Sequence, residues 1–155
     1  MDFRVRALDA APFQHLYGRT DAELAALGLK AYLADSSPGF PCRVSLEDAA
    51  VGERLFLLNF EHLGGESPYR SRHAIFVRDG ARRVTPAVGE LPAYLTRRLL
   101  SVRAFDAAKM MTDADVVAGE DLERVIVRML EAPANAELHV HTARQGCYLA
   151  AIERA

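Results

Sequence analysis

Apolar and polar residues alternate at the start of the chain. Phe3, Val5 and Ala7 are separated by Arg4 and Arg6, the period-two pattern of a strand with one face in a core. Thr20-Asp21-Ala22-Glu23 has the spacing of a capping box and predicts a short helix that Gly28 stops. Leu29 to Ala34 reads as a second strand, followed by the turn cluster Asp35-Ser36-Ser37-Pro38-Gly39. Pro41 to Val44 is expected to be extended, because proline fixes its own φ and bars its predecessor from the helical region. Ser45-Leu46-Glu47-Asp48 predicts a capped helical turn ended by Gly52.

Arg54 to His62 is apolar on both faces, with Leu55 and Leu57 on one and Phe56, Leu58 and Phe60 on the other. That pattern predicts a central strand covered on both sides. Ala74 to Arg78 is the next strand, a short helix spans Leu91 to Arg98, and Leu99 to Phe105 returns to strand. A further short strand begins near Asp115. The clearest helix carries Leu122, Val125, Ile126, Met129 and Leu130 at i, i+3, i+4, i+7 and i+8, with Glu120, Asp121 and Glu123 in its first turn. Glu137 to Thr142 and Tyr148 to Arg154 form a final hairpin around Ala143-Arg144-Gln145-Gly146. Six or seven strands that do not alternate strictly with three or four helices predict an α+β fold, with a mixed or mostly antiparallel sheet and a few helices packed on it.

Composition narrows the function classes. At 155 residues one domain is expected. Nineteen basic against 21 acidic side chains exclude a dominant polycationic surface, which argues against nucleic acid as partner. All the basic residues but Lys30 and Lys109 are arginine, spread along the chain without clustering into a binding footprint. The charged opening and the shortness of every apolar run predict neither a secretory leader nor a membrane span, hence a cytoplasmic protein with Cys42 and Cys147 as free thiols.

Three stretches together carry a resemblance: Phe40-Pro41-Cys42-Arg43-Val44-Ser45-Leu46-Glu47-Asp48; Leu57-Leu58-Asn59-Phe60 with Ser67-Pro68-Tyr69-Arg70-Ser71; and Ala143-Arg144-Gln145-Gly146-Cys147. They resemble the bacterial family of domain of unknown function 1203 over essentially the whole chain. The resemblance implies bacterial origin and a stand-alone domain, and brings no assigned activity. Some members of the family carry a second cysteine three positions after the first. Ser45 stands there in this chain, so a two-cysteine redox or metal motif at Cys42 is absent.

Three constellations carry chemistry. His139 and His141 are two apart on a strand and project from one face, an acceptable start for a zinc site. A three-residue turn with Gly146 as the bulge would put Cys147 on that face and Leu138, Val140, Tyr148 and Ile152 on the other; a two-residue turn would remove Cys147 from the histidines. The competing structural reading is a pair of partly exposed strand histidines. His15 and His62 show no partner pattern and read as incidental.

The second constellation is a thiol nucleophile at Cys42, beside Arg43 and ahead of a capped turn, with His73 or the strand histidines as base. Against it stands the ordinary role of cysteine as a small buried residue. The third is an anion pocket in which Cys42, Arg43, Asn59, Tyr69, Arg72, His73, Arg144 and Cys147 converge on a carboxylate or phosphate. Its rival has these groups satisfying internal carbonyls and acidic partners. The leading expectation is a small-anion-binding domain with no cofactor. A thiol-dependent or zinc-assisted hydrolase or transferase is the alternative, and an exposed strand edge would admit a homodimer.

Overall fold

The computed structural model describes all 155 residues. The fold is α+β, built on two five-stranded sheets where the sequence pattern had suggested one. The first contains β1 (Phe3–Arg6), β7 (Leu99–Phe105), β8 (Met111–Ala118), β9 (Glu137–Thr142) and β10 (Tyr148–Arg154), in the order β1-β10-β9-β7-β8 and antiparallel throughout. The second contains β2 (Lys30–Leu33), β3 (Pro41–Cys42), β4 (Glu47–Asp48), β5 (Arg54–Leu63) and β6 (Ser71–Arg78), in the order β2-β5-β6-β3-β4. Only β3 and β6 run parallel.

Each sheet has its own core. On the first, the helix α3 (Leu122–Glu131) lays Leu122, Val125, Ile126, Met129 and Leu130 against Leu100, Val102, Leu138, Val140 and Ile152, as the heptad-like spacing requires. These strand residues alternate with Ser101, Arg103, His139 and His141, so the face of the sheet turned away from α3 is polar. On the second, Phe56, Ile75 and Val77 pack with Phe13 and Leu16 of a 3₁₀ turn (Ala11–Leu16) and Leu24 of α1 (Asp21–Ala26). The expected capping box starts α1: Thr20 Oγ1 accepts the Glu23 N–H at 3.2 Å, and Glu23 Oε2 accepts the Thr20 N–H at 2.8 Å. The helix expected over Leu91–Arg98 is confined to α2 (Ala93–Thr96).

Two local expectations are corrected. Ser45 to Asp48 is not a helical turn: Glu47 and Asp48 pair as β4 with Pro41 and Cys42, and Ser45 Oγ, buried and without a partner, caps nothing. Leu46 turns the chain there in the left-handed region (φ 52), its N–H donated to the Cys42 carbonyl at 3.0 Å. Burial in the first sheet's core, at 2% exposure, holds it there against a strain of order 1 kcal/mol. β5 is central between β2 and β6, but both faces are covered only at its start; Asn59 is exposed and the flanking residues half-buried. No helix is long and apolar enough to cross a membrane.

Candidate functional site

The polar face of the first sheet meets the end of the β5–β6 ribbon, and histidines from both sheets collect there. His141 on β9 is fully buried. Its Nδ1 lies 2.9 Å from the Gly146 carbonyl, which can only accept, so Nδ1 carries the proton and Nε2 presents a lone pair. His73 comes from β6, paired in register with Phe60. His62 is the extra residue of a bulge between Glu61 and Leu63, a local irregularity that re-aims a side chain toward the neighbouring sheet. Ring nitrogens of His62, His73 and His141 lie within 4.8 Å of one another.

Five buried side-chain nitrogen or oxygen atoms in the chain lack a hydrogen-bond partner, and three of them are Nε2 of His62, His73 and His141. Orphaned buried polar atoms are uncommon because each costs about 1–3 kcal/mol. Three of one kind, on histidines whose ring nitrogens converge from three strands, form a triad that could hold a metal ion. A zinc–nitrogen bond of ~2.0–2.1 Å places tetrahedral ligand nitrogens roughly 3.4 Å apart, against the 4.8 Å within which the ring nitrogens lie here.

A second layer orients the first. His62 Nδ1 is 2.8 Å from His139 Nδ1. With the lone pair of His62 on Nε2, His62 Nδ1–H donates and His139 accepts, which leaves the proton of His139 on Nε2. That nitrogen faces Glu137 Oε1 at 3.6 Å. Glu137 in turn accepts from Lys109, and from Arg6 at 3.1 Å. Tyr148 stacks on His62 with ring centroids 5.0 Å apart and planes at 16°. Carboxylate–histidine chains of this kind fix the tautomer and raise the basicity of a ligating imidazole.

The electrostatics keep the three rings neutral. Burial, then the neighbouring His139, His73 and Arg103, lower His62 from 6.5 to about 3. Burial and Arg103 lower His141 to about 2, and burial with Arg103 and Arg43 lowers His73. The adjoining His139 and Lys109 hold Glu137 at about 2. Neutral imidazole and ionised carboxylate are the forms that metal binding requires.

His73 and His141 enter the histidine triad, and His139 stands behind it. The hairpin turn takes a third form: the loop Ala143–Gly146 has four residues, Thr142 donates its N–H to the Cys147 carbonyl at 2.9 Å, and a bulge lies between Tyr148 and Ala150. Tyr148 therefore pairs with His141 and joins the histidine face while Cys147 turns away from it, the parity of the two-residue alternative and not that of the three-residue one. Cys147 lines a hollow of about 390 Å³ with Pro41, Arg43, Thr142 and Gln145. Cys42 is fully buried, its sulfur accepting the Arg78 N–H at 3.3 Å. Arg43 donates from Nε to the Tyr148 carbonyl at 2.7 Å and from Nη1 to the Pro41 carbonyl at 2.6 Å. Arg72 donates to Asn59 Oδ1 at 2.6 Å on the opposite side of the ribbon from His73, while Tyr69 and Arg144 are exposed elsewhere. The eight anion-pocket candidates do not share one hollow. His62, read as incidental, is central; a lone histidine closing an apolar strand offered no pattern to find it by.

The sequence pattern of DUF1203, described as a protein of unknown function, matches residues 39–154. The chain belongs to the DUF1203 family. All four clustered histidines of this DUF1203 chain, with Glu137 and Tyr148, fall inside the matched span. No curated protein and no solved structure matches it.

Proposed function

We propose that this DUF1203 protein binds one divalent transition-metal ion, zinc by its all-imidazole ligand set, through Nε2 of His62, His73 and His141. The observation that carries the reading is the three buried, unpartnered Nε2 atoms on histidines whose ring nitrogens converge from two sheets. Three protein ligands leave a tetrahedral ion one further position, the arrangement of catalytic more than of structural zinc sites. Bound there, zinc would supply an activated water or polarise a substrate oxygen, the chemistry of a hydrolase or transferase. His139 and Glu137 hold the His62 ring in its metal-facing tautomer, and Gly146 does the same for His141.

The thiol reading has less support, since Cys42 is enclosed and its sulfur is engaged by backbone. The eight-residue small-anion pocket also has less support, since two of its arginines are engaged by internal partners.

The test is metal content after purification without a metal-affinity column, followed by zinc titration of chelator-treated protein. One equivalent per chain is expected, with His73→Ala and His141→Ala each losing it while remaining folded by circular dichroism. Wild-type protein that takes up no zinc, or variants that take up as much as the wild type, would overturn the proposal.

A further inference from the structure

Strand order places β9 between β10 and β7, so its histidines are flanked by Tyr148 on one side and by Arg103 on the other. Arg103 pairs in register with His139, and Ser101 with His141. The Arg103 side chain is half-buried and forms no salt bridge. Its Nε donates to Ser101 Oγ at 3.3 Å, and its two terminal amino groups have no protein partner. Every other half-buried or buried arginine in the chain is committed: Arg6 to Glu137 and Glu153, Arg54 to Asp21 and Asp79, Arg78 to Glu47 and Glu53, Arg98 to Asp48, Arg43 to two carbonyls.

The carboxylate of this corner, Glu137, is already shared by Lys109 and Arg6. A dication on the histidines would then sit beside an arginine with nothing negative between them. A guanidinium presents paired N–H donors in a fixed fork that matches two oxygens of a carboxylate or phosphate. An anion bridging the ion and Arg103 satisfies both charges at once.

We infer that the ligand completing this site is a small oxyanion, one oxygen on the metal and another on the Arg103 guanidinium. This inference rests on the metal reading above and names the substrate class of that same site: a molecule whose carboxylate or phosphate group lies next to the reacting centre.

The experiment uses full-length protein loaded with cobalt(II), whose visible absorption reports the groups on the ion. Cobalt stoichiometry is measured first for each protein. The wild type, Arg103→Gln and Arg103→Lys are then titrated with inorganic phosphate and, separately, acetate at constant ionic strength. Arg124→Gln, on the exposed face of α3, controls for the loss of one positive charge. At least one anion is expected to shift the wild-type spectrum saturably, and the stronger of the two identifies a phosphoryl or a carboxylate ligand. Arg103→Gln should weaken that binding tenfold or more, Arg103→Lys less, and Arg124→Gln not at all. Normal cobalt uptake with no spectral response to either anion, or with equal affinity in wild type and both Arg103 variants, overturns this inference alone. Failure of the wild type to take up cobalt overturns the metal reading and this inference with it.

Discussion

The protonation of His141 offers a test that needs no ligand. The ring is fully buried, and its pKa falls from 6.5 to about 2 because burial disfavours the imidazolium and Arg103 repels it. Between those values the unfolded chain binds a proton that the folded chain refuses, so stability rises with pH. Its contribution is complete above 6.5 and is lost progressively as the pH falls toward 2. The slope is ~1.4 kcal/mol per pH unit, and the loss between pH 7 and pH 5 is ~2 kcal/mol from His141 alone. His62, lowered to about 3, acts in the same direction and window. The low value of Glu137, about 2, is felt only below its ordinary 4.5 and leaves this window clear. Urea denaturation of chelator-treated protein at pH 7, 6 and 5 measures the effect. The wild type should lose at least ~2 kcal/mol across the range, and His141→Gln should lose ~2 kcal/mol less than the wild type does. Equal slopes for the two proteins, or a wild-type stability that does not change from pH 7 to 5, would refute the reasoning, because the ring would then be titrating as it does in water.

Three further outcomes are expected. Zinc at a hundred times its dissociation constant should stabilise the protein by ~2.7 kcal/mol at pH 7, a gain that shrinks as the pH falls because protons compete for the same nitrogens; thermal melts at several pH values measure both. Gly119→Ala should lower the melting temperature by several degrees, because a Cβ there would meet the Thr96 and Leu95 carbonyl oxygens at 2.4 and 2.5 Å, an overpacking of about 1–3 kcal/mol that a melt unchanged from wild type would disprove. Arg43→Lys should cost about 1–3 kcal/mol in urea denaturation, since one ammonium cannot replace both Nε and Nη1 and a buried carbonyl of Tyr148 or Pro41 is orphaned; an unchanged midpoint would show that the fork is dispensable.

Local physics was legible from residue order wherever neighbours in the chain decide the outcome. The apolar spacing of Leu122 to Leu130 needs only the helical period, the Thr20–Glu23 box only three intervening bonds, and the shared face of His139 and His141 only the pleat of one strand. The histidine triad depends on other things. His62, His73 and His141 lie on three strands in two sheets, and no periodicity within one segment relates them. A bulge in β5 and a four-residue turn decided that His62 and Tyr148 point into the cluster and Cys147 away from it. Strand parity is a two-valued quantity, flipped by a single inserted residue, so its value in a hairpin or a long ribbon is settled by pairing with the rest of the fold. The sequence by itself therefore determined the elements whose own periodicity or capping suffices, such as α1, α3 and the final hairpin, but not β4 or the covered faces of β5; packing of the second sheet onto the polar face of the first determined the site.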